Sequence, residues 1–282
     1  MRRFTTSAVT ERPFLGLLLL VELIVAVALV WRSAPTPAQV AAPASPPVAS
    51  SVPSPSSHTL TLRDGRTASL LPLGGAKSSA LVARIAAELD SATDAVTAFW
   101  GDDWRRDIEI VAAGTDDEFA AMGTPGSDIA AATTPARIVF APGAAAMSEG
   151  ALRIVVRHEL FHYASRADTA ADAPRWLTEG VADFVGRPPQ PRPGPAVAAE
   201  LAHVPTDADL DTPGATRSLA YDRAWWFSRF VADRYGMPTL RKLYLEACRP
   251  GHPDVSTAIH DTLGADMTQV VATWRQWLSG AI

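Results

Sequence analysis

Residues 148–163 read Ser-Glu-Gly-Ala-Leu-Arg-Ile-Val-Val-Arg-His-Glu-Leu-Phe-His-Tyr, and they carry a structural and a chemical signal together. Leu152, Val155, Val156 and Leu160 recur at steps of three and four, and Ser148 stands in front of them as an acceptor for the first free N–H groups. The spacing predicts a helix over 148–166. On such a helix His158 and His162 project from one face a single turn apart. That spacing lets two imidazoles reach one tetrahedral zinc ion at about 2.0–2.1 Å. Glu159 then lies beside the metal rather than on it, where it can take a proton from metal-activated water and pass it to a leaving amine.

A zinc site that does chemistry needs a third protein donor and one open position. Downstream the chain reads Trp176-Leu177-Thr178-Glu179-Gly180-Val181-Ala182-Asp183-Phe184. Sixteen residues separate His162 from Glu179, enough to finish one helix, turn, and bring back a second that begins near Pro174. Glu179 is the natural third ligand. Asp183, one turn on, is placed to accept a hydrogen bond from the free nitrogen of a ligand histidine.

Upstream, Thr59–Leu71 alternates in polarity around Asp64-Gly65, predicting a strand or hairpin. Ser79–Trp100 has helical spacing in Leu81, Ile85, Leu89, Val96 and Phe99. Asp107–Ala112 and Ala136–Ala141 are short β-rich runs. A Pro/Gly-rich loop follows the second metal-site helix from Arg187 to Pro195, and helices are expected over 218–235, 238–247 and 266–279. Strands first and helices afterwards predict an α+β fold, with a small N-terminal sheet and a mainly helical C-terminal part.

The N-terminal part has a different character. Phe14 to Trp31 is almost continuously apolar, broken by Gly16 and Glu22, and at about 1.5 Å per residue it spans roughly 27 Å, enough for a hydrocarbon core. Arg2, Arg3 and Arg12 precede it and Arg32 alone directly follows, so residues 1–13 are expected in the cytoplasm. A cleaved signal peptide, with the rest secreted, is the other reading, but the length of the run and the prolines after it favour a signal anchor. Both place the remainder outside the cytoplasm. Residues 32–57 are a Pro/Ala/Ser-rich linker, and 58–282 form the folded domain.

The net charge of −5 lacks the basic stripe of a nucleic-acid binder. Cys248 is the single cysteine, so there is no internal disulfide and no cysteine-based zinc cluster. It is expected as a small buried hydrophobe, like Trp225, Trp226, Trp274 and Trp277, whose helical spacing marks them as core.

His158-Glu159-x-x-His162 followed by Glu179 and Asp183 resembles the gluzincin branch of zincin peptidases, which includes thermolysin-like and aminopeptidase-type enzymes. Trp-Leu-x-Glu-Gly-x-Ala at 176–182 looks more like the compact peptidase MA-like families of exported bacterial proteins. So do 218–236, with Tyr221 and Tyr235-Gly236, and the terminal Leu263-Gly264, Trp274 and Trp277-Leu278. The resemblance covers roughly 105–280. It implies a metallopeptidase with one zinc ion per domain, acting on a peptide or protein substrate. It also implies a strand before the active helix, here Ala136–Ala141, whose edge binds an extended peptide. The exopeptidase motif of aminopeptidases and the calcium clusters of large thermolysin-like enzymes are missing. Tyr221 is a candidate hydrogen-bond donor to the oxyanion, with a plain packing role as the alternative; His203 and Arg223 are weaker candidates for the same task. The expectation is therefore a membrane-anchored zinc metallopeptidase. A catalytically silent zinc-binding envelope adaptor is the competitor, and Glu159 speaks against it because a purely structural site has no use for a general base.

Overall fold

The hairpin expected around Asp64-Gly65 forms. Strands β1 (His58–Thr61) and β2 (Thr67–Pro72) pair antiparallel, with His58 opposite Leu70 and Thr61 opposite Thr67. Gly65 turns the chain at φ +83° and donates its N–H to the Leu62 carbonyl at 3.0 Å, a conformation that costs glycine little. Arg66, buried to 1% exposure, locks the hairpin down. Its guanidinium bonds the Asp64 carboxylate and the carbonyls of Asp102 and Arg105, and stacks 3.5 Å over Trp104. The computed structural model describes residues 57–124 and 129–282. The proposed anchor at 14–31, residues 1–13 and the linker up to residue 56 lie outside the described residues; within them no helix is long and apolar enough to cross a membrane.

Helix α1 (Ala76–Trp100) carries the chain from β2 to β3 (Asp107–Ala112), and the two strands are parallel, as a helical crossover requires. Next to β3 lies β5 (Ile138–Phe140), also parallel, and β4 (Ala131–Thr133) closes the sheet antiparallel to β5, giving the order β1-β2-β3-β5-β4. This corrects one expectation. The run Ala136–Ala141 contributes β5, which is flanked on both sides, and the edge facing the helical body is β4. The two are joined through Thr134–Arg137, where Thr134 N–H donates to the Arg137 carbonyl at 2.8 Å.

The stripe Leu81, Ile85, Leu89, Ala92 and Val96 of α1 is buried with Ile108, Ile110, Ile138 and Phe140 of the sheet. The opposite sheet face buries a smaller cluster, Val111 and Val139 under Phe119 of α2 (Asp116–Ala121). The rest of the described chain is helical: α3 (Glu149–Ser165), α4 (Arg175–Gly186), α5 (Pro195–Leu201), α6 (Asp207–Asp211), α7 (Ala215–Tyr235), α8 (Met237–Cys248), α9 (Val255–Leu263) and α10 (Met267–Ser279). The architecture is α+β, a small N-terminal sheet followed by a mainly helical body. Cys248 and the four tryptophans are buried; burial pushes the Cys248 thiol up to about 12, so it stays protonated.

Candidate metal centre

Helix α3 begins as its sequence dictates. The Ser148 hydroxyl accepts from Ala151 N–H at 3.2 Å, and Glu149 sits in the first turn, where the helix dipole favours a negative charge. Its inward side is fixed by Leu152, Val156, Leu160 and Phe161, each nearly inaccessible. Phe161 makes edge-on contacts with Phe99, Trp100 and Tyr244 at centroid distances of 5.8, 5.7 and 5.4 Å. With that face committed, His158 and His162 must emerge on another.

Helix α4 starts after Pro174 and brings Glu179 to them. Two glycines allow the approach. A Cβ on Gly180 would lie 2.4 Å from the Ala224 carbonyl oxygen of α7, and one on Gly186 would lie 3.0 Å from the Ile154 oxygen of α3. Trp176 braces the same helix against Phe227 at 5.0 Å. Thus α4 is wedged between α3 and α7 by backbone contact.

The outcome is a cluster of donor atoms from three residues. His158 Nε2 is 3.1 Å from His162 Nε2 and 3.2 Å from Glu179 Oε2, and His162 Nε2 is 3.6 Å from Glu179 Oε1. Ligands at about 2.05 Å in a tetrahedral site stand about 3.3 Å apart, so these spacings suit one small cation held between the two imidazoles and the carboxylate. The chemistry of the donors makes the same demand. Asp183 Oδ1 lies 2.9 Å from His158 Nδ1, and a carboxylate can only accept there, so Nδ1 carries the proton. A neutral His158 therefore turns a lone pair, not a proton, towards the Glu179 carboxylate. Only a proton or a metal cation between them reconciles the pair.

The protonation tendencies agree. Burial opposes a charged His158, but its hydrogen bonds to Asp183 and Glu179 outweigh burial and raise its pKa well above the usual histidine value. Burial would likewise neutralise Glu179, yet the His162 charge and the bonds to both histidines hold it well below the usual carboxylate range. Asp183 is held low against burial by Arg187 and His158. The His158, His162 and Glu179 side chains keep 14, 20 and 19% of their surface. That leaves an accessible position, unlike the closed shell of a structural zinc site.

No protein-family model and no curated protein matches this sequence. Among solved structures it is similar to an M1 zinc metallopeptidase from Deinococcus radiodurans, at TM-score 0.45 and 18% identity over 80% of this chain and 52% of that one. It is also similar to a two-domain M1 zinc metallopeptidase bound to L-arginine, at TM-score 0.44 and 16% identity over 79% and 51%. The chain spans about half the length of these proteins.

The remaining candidates divide. Glu159, 7% exposed, follows His158 on α3, and the Thr133 hydroxyl of β4 lies 2.8 Å from its Oε2 and 2.9 Å from its main-chain oxygen. Tyr221 lies in the second turn of α7. The Glu179 charge, then burial and Asp183, hold its phenol pKa well above the usual value, so it stays a donor. His203 and Arg223 instead meet the Glu200 carbonyl, at 3.3 and 3.0 Å, and His58 and His260 are exposed. Asp183 is buried. Thr133, Arg187 and Asp222 join the site only through the fold. Ala-Ala-Thr at 131–133 offers no signal in sequence, whereas Arg187, four residues after Asp183, has the spacing of a helix ion pair.

Proposed function

We propose that this chain is a zinc-dependent metallopeptidase of gluzincin type that hydrolyses peptide bonds with metal-activated water. The observation that carries the reading is the cluster of His158, His162 and Glu179, partly open, with Glu159 next to it. His158, His162 and Glu179 would hold the zinc, and Asp183 would fix the His158 tautomer. When bound, zinc lowers the pKa of water towards about 7 and polarises a carbonyl.

The side chains supply the rest. Thr133 holds Oε2 of Glu159, leaving Oε1 to take the proton from the attacking water and deliver it to the leaving amine. Tyr221, protonated in its surroundings, donates to the substrate carbonyl oxygen as negative charge grows there. An extended peptide pairs with the outer edge of β4 through its backbone. Residues 14–31 anchor the chain in the membrane, with residues 1–13 cytoplasmic and the catalytic domain outside.

The experiment is Glu159→Gln in the full chain, which keeps shape and donors but removes the proton acceptor. Zinc content should match wild type while hydrolysis of a peptide library falls at least about a hundredfold. Equal hydrolysis by both proteins would refute the assignment, and zinc binding without hydrolysis by wild type would point to the adaptor.

A further inference from the structure

Two charged side chains beside the donor cluster have no part in the chemistry above. Arg187 follows the last turn of α4, and Asp222 is the neighbour of Tyr221 on α7. The Arg187 guanidinium places Nη2 2.6 Å from Asp183 Oδ2 and Nη1 2.8 Å from Asp222 Oδ1, with its side chain 15% exposed. It sits 5.5 Å from the Trp225 ring. Asp183 gives its other oxygen to His158 Nδ1 at 2.9 Å. A continuous chain thus runs from the donor His158 through Asp183 and Arg187 to Asp222.

Each link limits the motion of the one before it. A carboxylate held at one oxygen can rotate and carry that oxygen away from its partner, and an opposite charge against its other oxygen resists that rotation. Arg187 meets Asp183 Oδ2 as an ion pair without a hydrogen bond, while its Nη1 donates to Asp222. One planar guanidinium thus faces two carboxylates at once, a geometry lysine does not offer. Asp222, on a different helix, keeps the fork from swinging with α4. We propose that Arg187 is a positioning residue of the zinc centre: by fixing Asp183 it sets the orientation of the His158 imidazole, and by gripping Asp222 it ties that setting to the helix that carries Tyr221. This rests on the zinc reading and extends it to residues outside the motif.

The test is a double-mutant cycle on zinc affinity, measured by chelator competition on the full chain in detergent, well below the melting temperature. Arg187→Met should weaken zinc binding about tenfold, and Asp183→Ala about 10–100-fold. Removing Asp183 alone strands the Arg187 charge near the cation, so the double variant should bind zinc no more weakly than Asp183→Ala. The d–d spectrum of the cobalt-loaded protein should change in Arg187→Met, which a purely structural role would leave alone. Wild-type affinity in Arg187→Met, or losses that multiply in the double variant, would overturn the proposal. Should Arg187→Met not fold, Arg187→Lys keeps the charge without the fork; reduced zinc affinity supports the proposal, and wild-type affinity overturns it. Absence of zinc binding by the wild type would overturn the metallopeptidase reading together with this one, whereas a zinc-binding wild type matched by Arg187→Met overturns this one alone.

Discussion

Adding one methyl group at Gly180 should damage both stability and metal binding. The new Cβ would meet three Ala224 atoms, the carbonyl oxygen at 2.4 Å, the carbonyl carbon at 2.7 Å and the Cβ at 3.0 Å. Close carbon–oxygen contacts run to about 3.3 Å, so α4 and α7 must part by about 1 Å. Two of these atoms are backbone, so no rotamer change relieves the clash. Overpacking of this kind costs about 1–3 kcal/mol, or roughly 2–12 °C in melting temperature for a domain of this size. Glu179 is the preceding residue and moves with the helix. Metal sites tolerate distance errors of about 0.2 Å, so zinc affinity should fall by about 10–100-fold, as for loss of an outer partner or more. The assay is a pair of thermal melts with chelator present, which keeps metal linkage out of the stability term, and a zinc titration at low temperature. Gly150→Ala is the control of opposite sign. It lies in the first turn of α3, and a methyl group added there would have no atom within 4 Å, so alanine should stabilise by up to about 1 kcal/mol. Wild-type melting and zinc binding in Gly180→Ala would refute the idea that backbone contact between α4 and α7 sets the position of Glu179.

Glu179→Ala removes a donor and should lose most of its zinc, whereas Asp183→Ala removes only an orienting partner and should still load with excess zinc at about 10–100-fold lower affinity; the reverse order, measured by zinc content and titration, would show that the ligands are misassigned. Zinc must displace the proton that the metal-free cluster keeps on His158, so affinity should climb about tenfold per pH unit until the raised His158 pKa and then level off; levelling already at pH 6.5 in calorimetric titrations would contradict this. The linked stability has the opposite sense, because a raised folded-state pKa contributes fully below about 6.5 and is lost as pH rises through the folded value, so the metal-free domain should melt at lower temperature at high pH. A reporter fused after Ile282 should be active only outside the cytoplasm, and cytoplasmic activity would overturn the anchor topology.

The grouping of the candidate metal ligands is legible in the sequence because the proposed chemistry imposes spacing. His158 and His162 must share a helix face, and Glu179 needs only a turn and a second helix to reach them. Asp183 follows from the same periodicity. The long elements are legible for a related reason: α1, α3 and α10 each commit several apolar residues to one side, and α7 carries a dense apolar run from Ala224 to Val231. What escapes is short or depends on partners far along the chain. Helices α2, α5, α6 and α9 are too brief for periodicity to separate from turns, although Asp254 and Gly264 bracket α9 with cap signals. The parallel pairing of β2, β3 and β5 follows from the crossovers, not from any feature of the strands. Ala131-Ala132-Thr133 has neither alternation nor bulk, so in sequence the more β-like run beside it takes the place of the edge. Thr133 and Asp222 matter through contacts 26 and 35 residues away, which no local window contains.

The Thr133 hydroxyl reaches both the main chain and the carboxylate of Glu159, and Thr133 belongs to the outermost strand on that side of the sheet. The edge and Glu159 therefore share an origin, like the zero mark of a ruler. A peptide laid along β4 advances about 3.4 Å per residue and points alternate side chains towards the protein. Its divisions are set by backbone pairing, which every residue except proline can supply. Under the proposed function, such an edge would measure where a bond lies along a strand before reading which side chains flank it. The substrates it would suit best are chains that can be drawn out straight, and proline next to the mark is the residue it would read least well.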